Sequence, residues 1–224
     1  MRTFVRHNGL SIAFLGLFLG ALILQAVAGH ADFNEGQDQH GEEHISFLRY
    51  VTSSDFATAV MENWQSEYLQ FTLFILLTVW LVQRGSPESK EVGKAGLESD
   101  QDQKVGAHAV DASPRWAKLT GFRRRVYENS LLLVMVAIWI ASWFAQSITG
   151  VTEYNAERLD HQQTTVSWAA YLTRPDFWEK TLQNWQSEFL AVGSMAILAV
   201  YLRQRGSPES KPVGAAHHAT GPNS

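Results

Sequence analysis

The chain has 224 residues, a formal net charge of −4 and an apolar fraction of 46%. It contains no cysteine, which excludes disulfides, thiolate metal sites and cysteine nucleophiles. The acidic balance argues against a nucleic-acid partner, and the apolar residues fall in four runs divided by long polar segments.

The first run, Leu10 to Ala28, is uncharged and long enough to cross roughly 30 Å of hydrocarbon, which predicts a span at about 10–28. Arg2 and Arg6 before it, and Ala26-Val27-Ala28 at its end, also resemble a cleavable signal peptide. The same register recurs later in the chain as an internal apolar helix, so the expectation is a retained span. Gly16 and Gly20 form a small-xxx-small pair that either packs the spans together or makes a homodimer. Beyond the span, His40-Gly41-Glu42-Glu43-His44, with His30 near by, is a weak candidate for a divalent metal. The i, i+4 histidines suit a helix, but Gly36 and Gly41 argue for a loop.

Thr52 and Ser54 before Asp55-Phe56 predict a helix start. Phe56, Val60, Trp64 and Tyr68 follow at four-residue spacing, so the helix begins at the outer interface and runs into a second span at about 64–83. Asn63-Trp64-Gln65-Ser66-Glu67 lies at its entry. Asn63, Trp64 and Glu67 share one helix face. Gln83-Arg84-Gly85-Ser86-Pro87-Glu88-Ser89-Lys90 then reads as a stop. Arg84 snorkels to the inner headgroups, Gly85 suits the position after the helix, and Pro87 prevents continuation.

The polar stretch 94–121 is expected to be a disordered cytoplasmic linker, because it has too little apolar surface to offset its ordering entropy. Arg123, Arg124 and Arg125, near Arg115 and Lys118, are inner-interface anchors and a natural site for anionic lipid. A third span follows at about 130–149. Thr173 before Pro175-Asp176 predicts another helix start, leading to a fourth span at about 185–203 and a disordered tail at 215–224.

These elements repeat. Asn184-Trp185-Gln186-Ser187-Glu188 and Gln204 to Lys211 reproduce the two earlier strings at an offset of 121 residues, with Arg205 matching Arg84. Val5 to Gly93 aligns with the later copy without a gap, with 31 identities in 89 positions. The domains are therefore a first repeat at 1–93 and a second at 122–214. The predicted fold is an all-α membrane protein with four transmembrane helices. It is built as two parallel two-helix repeats, related by a pseudo-twofold axis along the membrane normal, with outer interfacial helices. Of the 18 basic residues, 14 lie at the termini and between the second and third spans. Both termini are thus expected to be cytoplasmic.

Gln25 and Gln146 lie about one turn from the outer ends of their spans, near the expected depth of Glu67 and Glu188. Gln25, Asn63, Trp64, Glu67, Gln146, Asn184, Trp185 and Glu188 therefore form the candidate polar site. An ionisable group at membrane depth points to an ion or ligand site, whereas interfacial tryptophans and helix-linking amides serve structure. No phosphate-binding loop, dinucleotide fingerprint or serine elbow is present. No catalytic residue or cofactor is assigned.

Phe177-Trp178-Glu179 leading to Asn184 to Leu190, and Arg203 to Lys211 at the end of the last span, resemble an uncharacterised family of bacterial integral-membrane proteins, a domain of unknown function. The first copy shares the resemblance but departs from it at Ala57 and Thr58. It implies a bacterial inner-membrane location and brings no activity. The leading expectation is a non-enzymatic module that binds membrane lipid, a protein partner or a second copy of itself. The alternative is a small transporter or channel using Glu67 and Glu188.

Overall fold

The computed structural model describes residues 2–221, and these are helical, with no strand among them. In chain order the helices are α1 (Arg2–His7), α2 (Gly9–His40), α3 (Phe47–Val51), α4 (Ser54–Leu77), α5 (Gly121–Glu128), α6 (Ser130–Asp160), α7 (Trp168–Tyr171) and α8 (Pro175–Tyr201). Two 3-10 turns, Gly106–His108 and Arg115–Lys118, precede α5. The helix starts expected near Ser54 and Pro175 are the observed first residues of α4 and α8.

Asn8 separates α1 from α2, and Asn129 separates α5 from α6. Each asparagine turns its side-chain amide back to a carbonyl of the preceding helix, Phe4 O at 2.9 Å and Arg125 O at 2.8 Å. Such local bonding competes with helix continuation. α2 and α6 then run for 32 and 31 residues, well past the apolar runs that begin them. The loop expected around His40 begins only after it: α2 runs through Gly36 and ends at His40, and residues 41–46 are non-helical. Gly41 ends α2 in the left-handed region (φ 72°), with Glu42 N–H donating to Gln37 O at 2.8 Å. Those bonds satisfy terminal carbonyls of the helix. At the matching place after α6, Gln162 adopts the same conformation (φ 57°), and Gln163 N–H donates to Arg158 O at 2.7 Å.

The chain divides into two compact units. The first comprises Met1–Val60 and Gln146–Tyr171, and it contains the same clasp twice. In one clasp, Asn34 pairs with the backbone of Ile45, receiving its N–H at 2.9 Å and donating to its carbonyl at 3.2 Å. Ser46 caps α3, and the Tyr50 hydroxyl rests on Gly29, where a Cβ would collide with it. In the other, Asn155 pairs with Val166 at 2.8 and 2.9 Å, and the Ser167 hydroxyl accepts Ala170 N–H at 3.3 Å. There the Tyr171 hydroxyl rests on Gly150, and Tyr171 is only 1% exposed. Every residue of the second clasp stands 121 positions after its counterpart in the first.

The second unit comprises Met61–Ala145 and Leu172–Ser224. Its core contains Leu69, Phe177, Ala199 and Val200, together with buried Gln65, Ser66 and Lys211. Trp143 stacks on Trp139 and Phe177, with ring centroids at 5.9 and 6.3 Å, and touches Trp178 and Trp185. The segment read as a linker carries the two 3-10 turns, a Lys90–Glu98 ion pair and an Arg124–Asp100 ion pair. The tail is held by Lys211, whose Nζ donates to the carbonyls of Ala216, His217 and Ala219 at 3.0–3.1 Å. Residues 222–224 of the expected tail lie outside the described residues.

Two helices, α2 and α6, are long and apolar enough to cross a membrane. Only 6% and 17% of their most apolar windows is buried. A core helix of a water-soluble protein would bury that surface. Leu10, Phe14, Leu17 and Leu24 of α2 are all exposed, and Gly16 and Gly20 have open space around them.

Candidate functional site

α4 and α8 each carry one copy of the Asn-Trp-Gln-Ser-Glu string, and within the second unit the copies meet. Trp185 Nε1 donates to Gln65 Oε1 at 2.7 Å, and Gln65 Nε2 donates to Glu62 O at 3.1 Å. Gln65 is 0% exposed, so both ends of its amide are used in a water-free setting. Ser66, also buried, donates to Asn63 O at 2.9 Å and lies near the Glu188 carboxyl. Glu67 lies close enough for its charge to act on Glu188. The matching Gln186 and Ser187 are exposed, so identical letters occupy unlike settings.

Of the predicted polar site, Asn63, Trp64, Glu67, Asn184, Trp185 and Glu188 belong to this unit, whereas Gln25 and Gln146 belong to the other. Asn63 and Glu67 are exposed, and Asn184 donates to Lys180 O at 2.8 Å. Gln146 is buried, and its Oε1 has no partner among the described residues. Trp64 lines an open apolar groove of about 390 Å³ with Met61, Ala137, Ile138, Ala141 and Ser142. Gln65 and Ser66 therefore do more here than the face-sharing argument assigned to them. The clasp residues Asn34, Ser46 and Tyr50 were also missed, although each is identical at the 121-residue offset.

The helix-stop strings fold alike. In each, a serine hydroxyl receives the N–H of the leading glutamine at 2.9 Å: Ser89 for Gln83 and Ser210 for Gln204. Ser86 and Ser207 receive the N–H of Glu88 and Glu209 at 3.2 Å. Gly85 and Gly206 take left-handed conformations, φ 89° and 85°, which a side chain would strain. Gly85 has a second constraint, because a Cβ there would meet the His217 carbonyl and Val200. The tail crosses this loop: Gly85 N–H donates to Thr220 Oγ1 at 2.8 Å, and Gly221 N–H donates to Ser86 O at 3.1 Å.

The strings also meet at Glu88, whose carboxyl lies beside that of Glu209. Burial first, and then that carboxyl, push Glu88 above the usual carboxylate range. Arg84 and Arg205 are exposed, as anchors must be, and so are Arg123 and Arg125. Arg124 differs: its guanidinium pairs with Asp100 at 3.1 Å and Glu128 at 3.0 Å.

The histidines are used separately. His40 Nδ1 bonds Gly36 O, His44 Nε2 bonds Asp38 Oδ1, each at 2.8 Å, and His30 Nε2 bonds Ile45 O at 2.7 Å. Among the described residues no three His, Asp or Glu side chains form a group able to hold a metal.

No curated protein and no solved structure matches the chain. A family model described as a domain of unknown function (DUF6766) matches residues 1–222, and the chain belongs to that family.

Proposed function

We propose that this is a multi-pass protein of the bacterial inner membrane whose role is a non-enzymatic module for lipid or protein interaction. In this reading α4 and α8 cross the membrane beside α2 and α6, making four spans in two parallel repeats with both termini cytoplasmic. The exposed apolar surfaces of α2 and α6 favour lipid as their solvent. The repeated clasps and repeated serine bonds favour a duplicated unit.

One observation carries the functional reading: the motif copies are spent on each other. Trp185 and Gln65 satisfy one another, and Glu88 lies against Glu209. Groups committed in this way build a scaffold. The approach of Glu67 to Glu188 is what favours the second reading, a small transporter or channel.

Single cysteines at positions 67 and 188, and along both helices, separate the two in a chain with no cysteine of its own. Membrane-impermeant thiol reagents are expected to label only the outer boundary. Labelling that continues inward with helical period would overturn the scaffold reading. Loss of flux in Glu67→Gln with Glu188→Gln would then assign the path.

A further inference from the structure

The three consecutive arginines before α6 are not equivalent in the folded chain. At about 100° per residue, Phe122 and Val126 of α5 fall on one stripe, with Arg123 and Arg125 about 80° to either side of it. Arg124 and Glu128 occupy the opposite face, where they pair with each other. The second ion pair of Arg124, to Asp100, ties that face to the polar segment before it. Phe122 is 80% exposed, and the Arg115–Lys118 turn that packs on α5 holds out Trp116, 50% exposed. Arg115, Lys118, Arg123 and Arg125 are exposed and lie within three residues of one or other aromatic along the chain, Lys118 Nζ also donating to Asp111 O at 2.9 Å. An apolar stripe flanked by arginines, just ahead of a helix able to cross a membrane, has the chemistry of a segment lying in a headgroup layer.

We infer that α5 and the Arg115–Lys118 turn form a docking surface for anionic phospholipid. Phe122, Val126 and Trp116 enter the acyl boundary, while Arg123 and Arg125 straddle headgroup phosphates. Arg124 is a positioning residue: it faces away from lipid and fixes the roll of α5 through Asp100 and Glu128. The occupant follows from charge complementarity. Four exposed cations lie beside these apolar residues in a chain whose net charge is negative, so the attraction is local and selects an anionic surface that also accepts aromatic rings. The inference rests on the membrane reading above and adds which lipid, which residues and which face.

The test uses the full chain with Phe122→Cys, labelled with an environment-sensitive fluorophore. The chain is reconstituted in vesicles of phosphatidylcholine with or without phosphatidylglycerol. The label is expected to move from water into the bilayer only when phosphatidylglycerol is present, and to return at high salt. Adding Arg123→Gln with Arg125→Gln should shift the docked-to-free ratio by on the order of tenfold towards water. Arg124→Gln should leave the lipid preference intact and speed proteolysis between residues 94 and 110.

A label that stays in water in both vesicles overturns the inference and leaves this face to an acidic protein. An Arg124→Gln effect on lipid preference equal to that of the flanking pair also overturns it. Alkaline extraction separates the two levels. A chain released from the vesicles sinks the membrane reading itself, whereas a retained chain with its label in water sinks only the inference.

Discussion

At the residue scale, two glycines lie under two tyrosines. α6 can approach Tyr171 because Gly150 has no Cβ; one placed there would lie 2.7 Å from the phenolic oxygen. Overpacking a buried contact of this kind costs about 1–3 kcal/mol. Gly150→Ala should therefore lower the melting temperature in detergent, and Gly150→Ala with Tyr171→Phe should recover part of the loss by removing the oxygen. If the double variant is no more stable than the single one, the hydroxyl is not what the glycine accommodates. Both members of each pair recur at the 121-residue offset, so their importance could have been read from the identities. Their contact could not, because 20 residues of helix and turn separate the two in each string.

At the element scale, the helix-stop strings show how far a motif can be read. Arginine, glycine and proline at the end of an apolar run announce a stop, and α4 does end before Gln83, at Leu77. The serines carry the rest of the design, because each hydroxyl accepts a backbone N–H that the stop leaves open. The approach of Glu88 to Glu209 was not legible, since two carboxyls with no bound cation ordinarily repel. With the folded pKa of Glu88 raised, its contribution to stability is full at low pH and is lost as pH rises through that value. Among the charged groups of the two strings and the tail, Glu209 is the one that acts on Glu88. Glu88→Gln should match the native chain in acid and exceed it in stability at alkaline pH, as followed by thermal unfolding across the range. A constant difference between the two across pH would rule out the raised titration of Glu88.

At the scale of the whole molecule, the sequence supported an all-helical chain, and the described residues are helical without a strand, two of their helices being long and apolar enough to cross a membrane. The second and fourth runs were harder to judge. α4 and α8 begin in polar sequence and carry Glu62, Glu67 and Glu188, so length and apolarity single out only α2 and α6. Nor do the two identical strings occupy equal settings. Gln65 is sealed in the core while Gln186 is exposed. Gln65→Leu should cost about 1–3 kcal/mol by stranding the Trp185 N–H, and Gln186→Leu should be nearly neutral in the same unfolding measurement. Equal costs would place the two copies in equivalent surroundings. The tail adds a constraint in time. Gly85 finds its partner in Thr220, 135 residues later. At roughly 5–20 residues per second on the ribosome, the first stop loop waits on the order of ten seconds before its last hydrogen bonds can form. The half of the protein made first is thus finished by residues made last.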